Sequence, residues 1–159
     1  MHIEIHGRRD ADAPTLVFSS GLGGAAHFWM PQLDALTSDY RVVLYDQLGT
    51  GKSPAALPAD YSIHAMASEL RTLLASHGIG DYHLIGHALG GLVGLAMAIQ
   101  QAPGLRSLTL MNAWSRVSPH TARCFSVRKQ LLAGSGPAAY VEAQALFLYP
   151  PDWIAANIA

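Results

Sequence analysis

Cysteine is almost missing from this 159-residue chain: Cys124 is the only one, so no intrachain disulfide can form and nothing points to a secreted, disulfide-held scaffold. Charge is also scarce. Charged residues make up 13% of the chain and the formal net charge is -1, which removes the electrostatic case for nucleic acid or an anionic membrane as partner. No long apolar run exists. The longest, about Leu89 to Ile99, is interrupted by glycines and is too short to span a bilayer. The first ten residues lack an apolar signal core and read as a short strand, His2 to His6, so no cleaved export signal is expected. What is present is apolar content of 50%, enough at this length for a real core. A soluble, cytoplasmic globular protein is the expectation.

Short apolar runs alternate with amphipathic stretches. Thr15–Ser19, Arg41–Tyr45, Tyr82–Ile85 and Arg106–Met111 read as buried strands. Between them, the spacing predicts helices over about Ala26–Leu36, Ser62–His77 and Leu89–Gln101. Phe28, Leu33 and Leu36 would share one face of the first. Ser62 would cap the second, and Gly78 would end it. Strand–helix–strand repetition implies a mostly parallel sheet with helices on both faces. After Asn112 the pattern changes to three helical stretches, Ala122–Leu132, Ala138–Leu148 and Asp152–Ala159, as an inserted cap would show. The expected organisation is a partial core over 1–112 and the start of a helical cap over 113–159.

Leu84-Ile85-Gly86-His87-Ala88-Leu89-Gly90-Gly91 is the most informative segment. Gly-x-nucleophile-x-Gly between a strand and an apolar helix is a nucleophile elbow, in which the central residue sits in a strained turn and the glycines avoid collisions with neighbouring backbone. The central residue here is Ala88, whose methyl group cannot attack anything. Ser20-Gly21-Leu22-Gly23-Gly24 resembles an oxyanion loop of the His-Gly-x-Gly type, with Ser20 at the histidine position. By position, the backbone N–H groups of Leu22 and Leu89 would stabilise an oxyanion. Asp46-Gln47-Leu48-Gly49-Thr50-Gly51-Lys52-Ser53 resembles the loop Asp-x-Arg-Gly-x-Gly-x-Ser, with Leu48 in place of arginine.

Other readings of the same residues are weaker. Gly51-Lys52-Ser53 fails as a phosphate-binding loop, because Asp46 stands where its first glycine would be and Pro54 follows at once. No metal is expected: His2 and His6 share a strand face but lie too far apart to chelate together, and His83 and His87 do not share a helical face. No cofactor is expected either. Cys124 reads as an inert packed thiol. Gly21, His87, Trp114 and Arg128 are the candidate substrate contacts: His87 sits in the elbow, Trp114 follows the last strand, and Arg128 on the first cap helix could pair with a substrate carboxylate.

Together these motifs resemble the α/β-hydrolase superfamily. With Asp60-Tyr61-Ser62-Ile63, Arg123-Cys124-Phe125 and Ala143 to Trp153 added, the chain is similar to the pyrimidine-utilization protein D family over nearly its whole length, covering the N-terminal part of that family's longer chain. The resemblance implies an α/β-hydrolase fold, C-terminally truncated. It implies that Ala88 is native, since some members share the Gly-His-Ala-Leu-Gly elbow. It also implies an aminohydrolase of uracil degradation, acting on carbamate (to ammonia and carbon dioxide) or on 3-aminoacrylate (to malonic semialdehyde and ammonia). After Ala88 the only acidic residues are Glu142 and Asp152 and the only histidine is His120, none of them after a core strand. The acid and base of the family would thus lie beyond Ala159, and the fragment is expected to be inactive alone. A small-molecule substrate is the expected partner, and the unpaired edge of the last strand would allow a homodimer. Two alternatives stay open: an ester or enol-lactone serine hydrolase whose nucleophile is replaced by Ala88, and a non-catalytic truncated relict.

Overall fold

The computed structural model describes residues 1–158. Five strands form one sheet: β1 (Ile3–Gly7), β2 (Thr15–Ser19), β3 (Arg41–Tyr45), β4 (Tyr82–His87) and β5 (Leu105–Met111). Their order is β1-β3-β2-β4-β5, parallel throughout except for the antiparallel edge pair β1–β3. This is the α/β arrangement that the strand–helix alternation implies. β4 runs two residues further than its apolar run, so His87 ends the strand, where it pairs in register with Met111.

The sheet is covered on both faces, and strand alternation decides which residue goes where. Val17, Val43, Tyr45 and Leu84 pack on one face with α2 (Ile63–Ser76) and α3 (Leu89–Ile99). Phe18, Val42 and Leu44 pack on the other with Trp29 and Leu33. α2 has the expected logic: Ser62 Oγ accepts from the Ala65 N–H at 3.2 Å, and Met66, Leu70, Leu73 and Leu74 are buried.

The helix expected over Ala26–Leu36 is instead a 3-10 helix, Ala26–Gln32, followed by one α-turn, α1 (Leu33–Leu36). Pro31 lies inside it and has no N–H for a continuous α ladder. The face differs too: Trp29 and Leu33 are buried, while Phe28 is half exposed.

The chain divides into two compact units, Met1–Ser115 and the remainder from Arg116. A Cβ at Gly91 would lie 2.5 Å from Ala113 Cβ, so the segment after β5 packs on the first turn of α3 and stays with the first unit. The second unit is helical: α4 (Pro119–Glu142), α5 (Gln144–Leu148) and α6 (Pro151–Asn157). Ser118 caps α4, whose first residue, Pro119, lies three residues before the expected start. Gly136 (φ 83°) and Pro137 break it, so its last part begins one residue before the expected second helix. The expected end of the last helix, Ala159, lies outside the described residues. Among the described residues of the second unit none is fully buried. No helix of the described residues is long and apolar enough to cross a membrane.

Candidate active site

The site is built where β4 hands over to α3. Ala88 has φ 48° and ψ −112°, a backbone conformation that costs a non-glycine residue on the order of 1–3 kcal/mol. Two glycines permit the bend. A Cβ at Gly86 would lie 2.6 Å from Gly90 O and from the Gly91 backbone, and a Cβ at Gly90 would run into Ser19 O. The sharp turn predicted for residue 88 is therefore present, with a methyl group where the fold usually projects a nucleophile.

Gly21 lies against this turn: a Cβ there would stand 3.0 Å from His87 Nδ1 and 3.4 Å from Ala88 Cβ. The oxyanion-type loop thus runs beside the elbow. Neither the Leu22 N–H nor the Leu89 N–H has a hydrogen-bond acceptor among the described residues. Leu89 opens α3, whose first-turn amides carry the positive end of the helix dipole. The geometry joins a strained bend, uncommitted amides and one imidazole. It lacks a side-chain nucleophile.

The loop is fixed from below by polar groups buried in the sheet's carboxyl end. Ser20, at the position of the expected histidine, accepts from Trp29 Nε1 at 3.0 Å and donates from Oγ to Ala25 O at 3.1 Å. Gln47 Nε2 donates to Ser20 O at 3.0 Å. The carboxylate of Asp46 accepts from the N–H of Ala26 and from that of Lys52, both at 2.7 Å. Asp46 and Gln47 are buried, so these bonds bind two loops to each other in a low-dielectric setting. Under them, Ser19 Oγ and Tyr45 OH are hydrogen-bonded at 2.7 Å, and burial pushes the Tyr45 phenol up to about 12. Tyr45 therefore stays protonated and serves as a structural strut.

The motif loop at 46–53 was legible as a motif; its role as a brace for 20–26 was not. The aromatic neighbours were missed in the same way. Phe28 stacks on His87 with centroids 5.2 Å apart and planes at 23°, and meets Trp29 edge to face at 4.9 Å.

Of the candidate substrate contacts, the structure brings Gly21 and His87 to the elbow. Trp114 is half-buried in the segment that follows β5. Arg128 belongs to the second unit, where its Nη2 donates to Tyr140 OH at 2.9 Å and Gln144 Oε1 at 2.6 Å. Its guanidinium lies over the rings of Phe125, Tyr140 and Phe147, and its Nε is buried without a partner. Cys124 departs from the expected packed thiol: it is half-buried, with Sγ 3.7 Å from His120 Nε2 one turn before it.

Among the described residues no group of three or more His, Cys, Asp or Glu is placed to hold a metal ion. His2 and His6 both reach the carboxylate of Glu4, at 2.8 and 3.3 Å. Lys52 Nζ joins them at 3.2 Å, and these neighbours, His2 foremost, hold the Glu4 carboxyl down at about 2. Grooves of about 700 and 360 Å³ lie at the other end of the strands around Asp81 and Tyr82, and none of the elbow residues lines them.

Comparison with known proteins places these features. Residues 14–140 match the model of the α/β hydrolase fold family. The chain is 68% identical over 157 residues to the Stutzerimonas stutzeri protein named "Putative carbamate hydrolase RutD", covering 99% of this chain and 59% of that one. It is 63% identical to the protein of the same name from Pseudomonas savastanoi pv. phaseolicola, with 99% and 61% coverage. The chain thus spans about three-fifths of the length of the curated relatives it matches. Among solved structures, the enol-lactonase of Burkholderia xenovorans LB400 superposes with a TM-score of 0.85 at 28% identity, covering 98% of this chain and 59% of that one. A hydrolase of Pseudomonas aeruginosa PA01 gives 0.82 at 26%, with 99% and 57%.

Proposed function

Because this chain belongs to the α/β hydrolase family, we propose that it carries the elbow and oxyanion loop of a hydrolase that uses water, not a side chain, as its nucleophile. The substrate class is a small carboxylate whose C–N bond is cleaved to release ammonia: carbamate, or the enamine 3-aminoacrylate. The carrying observation is Ala88 in the strained bend, next to Gly21 and beside two uncommitted amides. The names of the two relatives, from Stutzerimonas stutzeri and Pseudomonas savastanoi pv. phaseolicola, support the carbamate reading.

The chemistry suits an elbow without serine. Carbamate and enamines break down in water unaided, so the barrier to be lowered is modest and no acyl-enzyme is required. When water adds to carbamate, the N–H groups of Leu22 and Leu89 hold the negative charge that develops on oxygen; with 3-aminoacrylate, where water adds to an iminium carbon, they hold the carboxylate instead. Gly21 and His87 line the place where the substrate sits, and Trp114, in the segment after β5, is a further contact of the same unit. The elbow alone is not the whole machinery, and residues 1–159 in isolation are inactive in this reading.

Ammonia release from 3-aminoacrylate and from carbamate, measured on the protein at the length of its relatives with Ala88 in place, tests the proposal. Turnover above the spontaneous rate supports it, and its absence for both compounds overturns it. The structural likeness to an enol-lactonase favours a second reading, an ester or enol-lactone hydrolase. That reading requires a covalent nucleophile at position 88, which a methyl group does not supply.

A further inference from the structure

We propose that His87 is the proton-transfer group that this chain itself brings to the elbow, and that Phe28 is its positioning residue; the inference rests on the water-mediated reading above. The histidines of the molecule differ in how they are held. His2, His6, His64, His77 and His83 each engage a neighbour through a ring nitrogen. His87 and the exposed His27 do not: neither nitrogen of His87 has a hydrogen-bond partner among the described residues, and neither is among the buried polar atoms left without one.

Its ring is nevertheless fixed. One face lies on Phe28, and its Nδ1 edge faces Gly21, so closely that a Cβ there would stand 3.0 Å away. Phe28 in turn leans on Trp29, which is buried against Phe18 and bonded to Ser20. A chain of aromatic contacts thus runs from the core to the imidazole and leaves both nitrogens free beside the oxyanion loop. Phe28, itself 49% exposed, thus touches both the imidazole and Trp29.

An imidazole gives and takes protons near neutrality, which is what enamine hydrolysis demands. The imidazolium donates a proton to the carbon next to the carboxylate, the C=C pair forms the new C–H bond, and an iminium results. Water adds to the iminium carbon and its surplus proton returns to the imidazole. The same proton then passes to nitrogen, the C–N bond breaks with its electron pair, and the hydroxyl proton of the forming aldehyde restores the imidazolium. The balance is one aminoacrylate and one water in, one malonic semialdehyde and one ammonia out.

The test combines structure and rate on the protein at the length of its relatives. With isotope-labelled histidine, the ring protons of His87 should resonate upfield because of the Phe28 ring current. The shift should vanish in Phe28→Leu and persist in Phe28→Tyr. His87→Gln should lower kcat for 3-aminoacrylate about a hundredfold with little change in KM. Phe28→Leu should lower it about tenfold or more, while Phe28→Tyr retains most of it. If Phe28→Leu fails to fold, Phe28→Tyr and His87→Gln carry the test. Turnover unchanged by His87→Gln, or an unshifted His87 ring in the wild type, overturns this assignment and leaves the water-mediated reading standing. A wild-type protein without turnover overturns that reading and this assignment with it.

Discussion

The N–H of Ala88 donates to the carbonyl of Met111 at 2.8 Å, so the bend of the elbow is tied to the last residue of the neighbouring strand β5. This bond helps hold a non-glycine residue at φ 48° and ψ −112°. Glycine reaches that region without a Cβ penalty. Ala88→Gly should therefore leave stability unchanged or raise it by about 1 kcal/mol, read from the urea midpoint. A loss of more than that would show that the bend is not strained.

Gly90→Ala should be strongly destabilising. The added methyl meets the carbonyl of Ser19, which belongs to a central strand and cannot move aside. A loss of about 3 kcal/mol is expected, measured by urea unfolding. Gly23→Ala, where a methyl would meet nothing within 4 Å but the φ is +74°, should cost less.

Asp46→Ala removes one carboxylate that serves two amides on two loops. The N–H of Ala26 would be left buried without an acceptor, and the 20–26 loop would lose its brace. The expected cost is about 3 kcal/mol of stability, with activity falling more steeply than the folded fraction does. Circular dichroism melts alongside ammonia release separate the two effects. An active variant with unchanged melting would contradict the bracing role.

Glu4 makes stability depend on pH at the other edge of the sheet. Its carboxyl is held at about 2, below the ordinary 4.5, so the folded protein favours the charged form. The stabilisation is fully present above pH 4.5 and fades as the pH falls through that value toward 2. Glu4→Gln should lower the urea midpoint at pH 6, and the difference from wild type should shrink as the pH falls toward 3. A difference independent of pH would reject the ionic origin.

Much of the fold is legible in the sequence alone. The elbow at 84–91 announces itself because close backbone approaches at Gly86 and Gly90 exclude side chains at a fixed spacing, and Ser62 reads as a cap because its hydroxyl replaces a missing acceptor. The helix at 26–36 failed at Pro31, where apolar spacing alone gave no account of the missing N–H. The break at Gly136 and Pro137 falls in the gap between the expected helices Ala122–Leu132 and Ala138–Leu148. The stack of Phe28 on His87 and the reach of Asp46 to Ala26 join residues far apart in the chain. Only the strand order brings them together, and no local pattern encodes that.

The most direct test of the account compares Ala88 with Ala88→Ser in the protein at the length of its relatives, following ammonia release from 3-aminoacrylate and carbamate and labelling by a fluorophosphonate probe. A water-attacking elbow predicts that the alanine protein turns over at least one of the two compounds, that serine brings no gain, and that the alanine protein takes no label. An alanine protein without turnover, restored by serine together with covalent labelling, would contradict it.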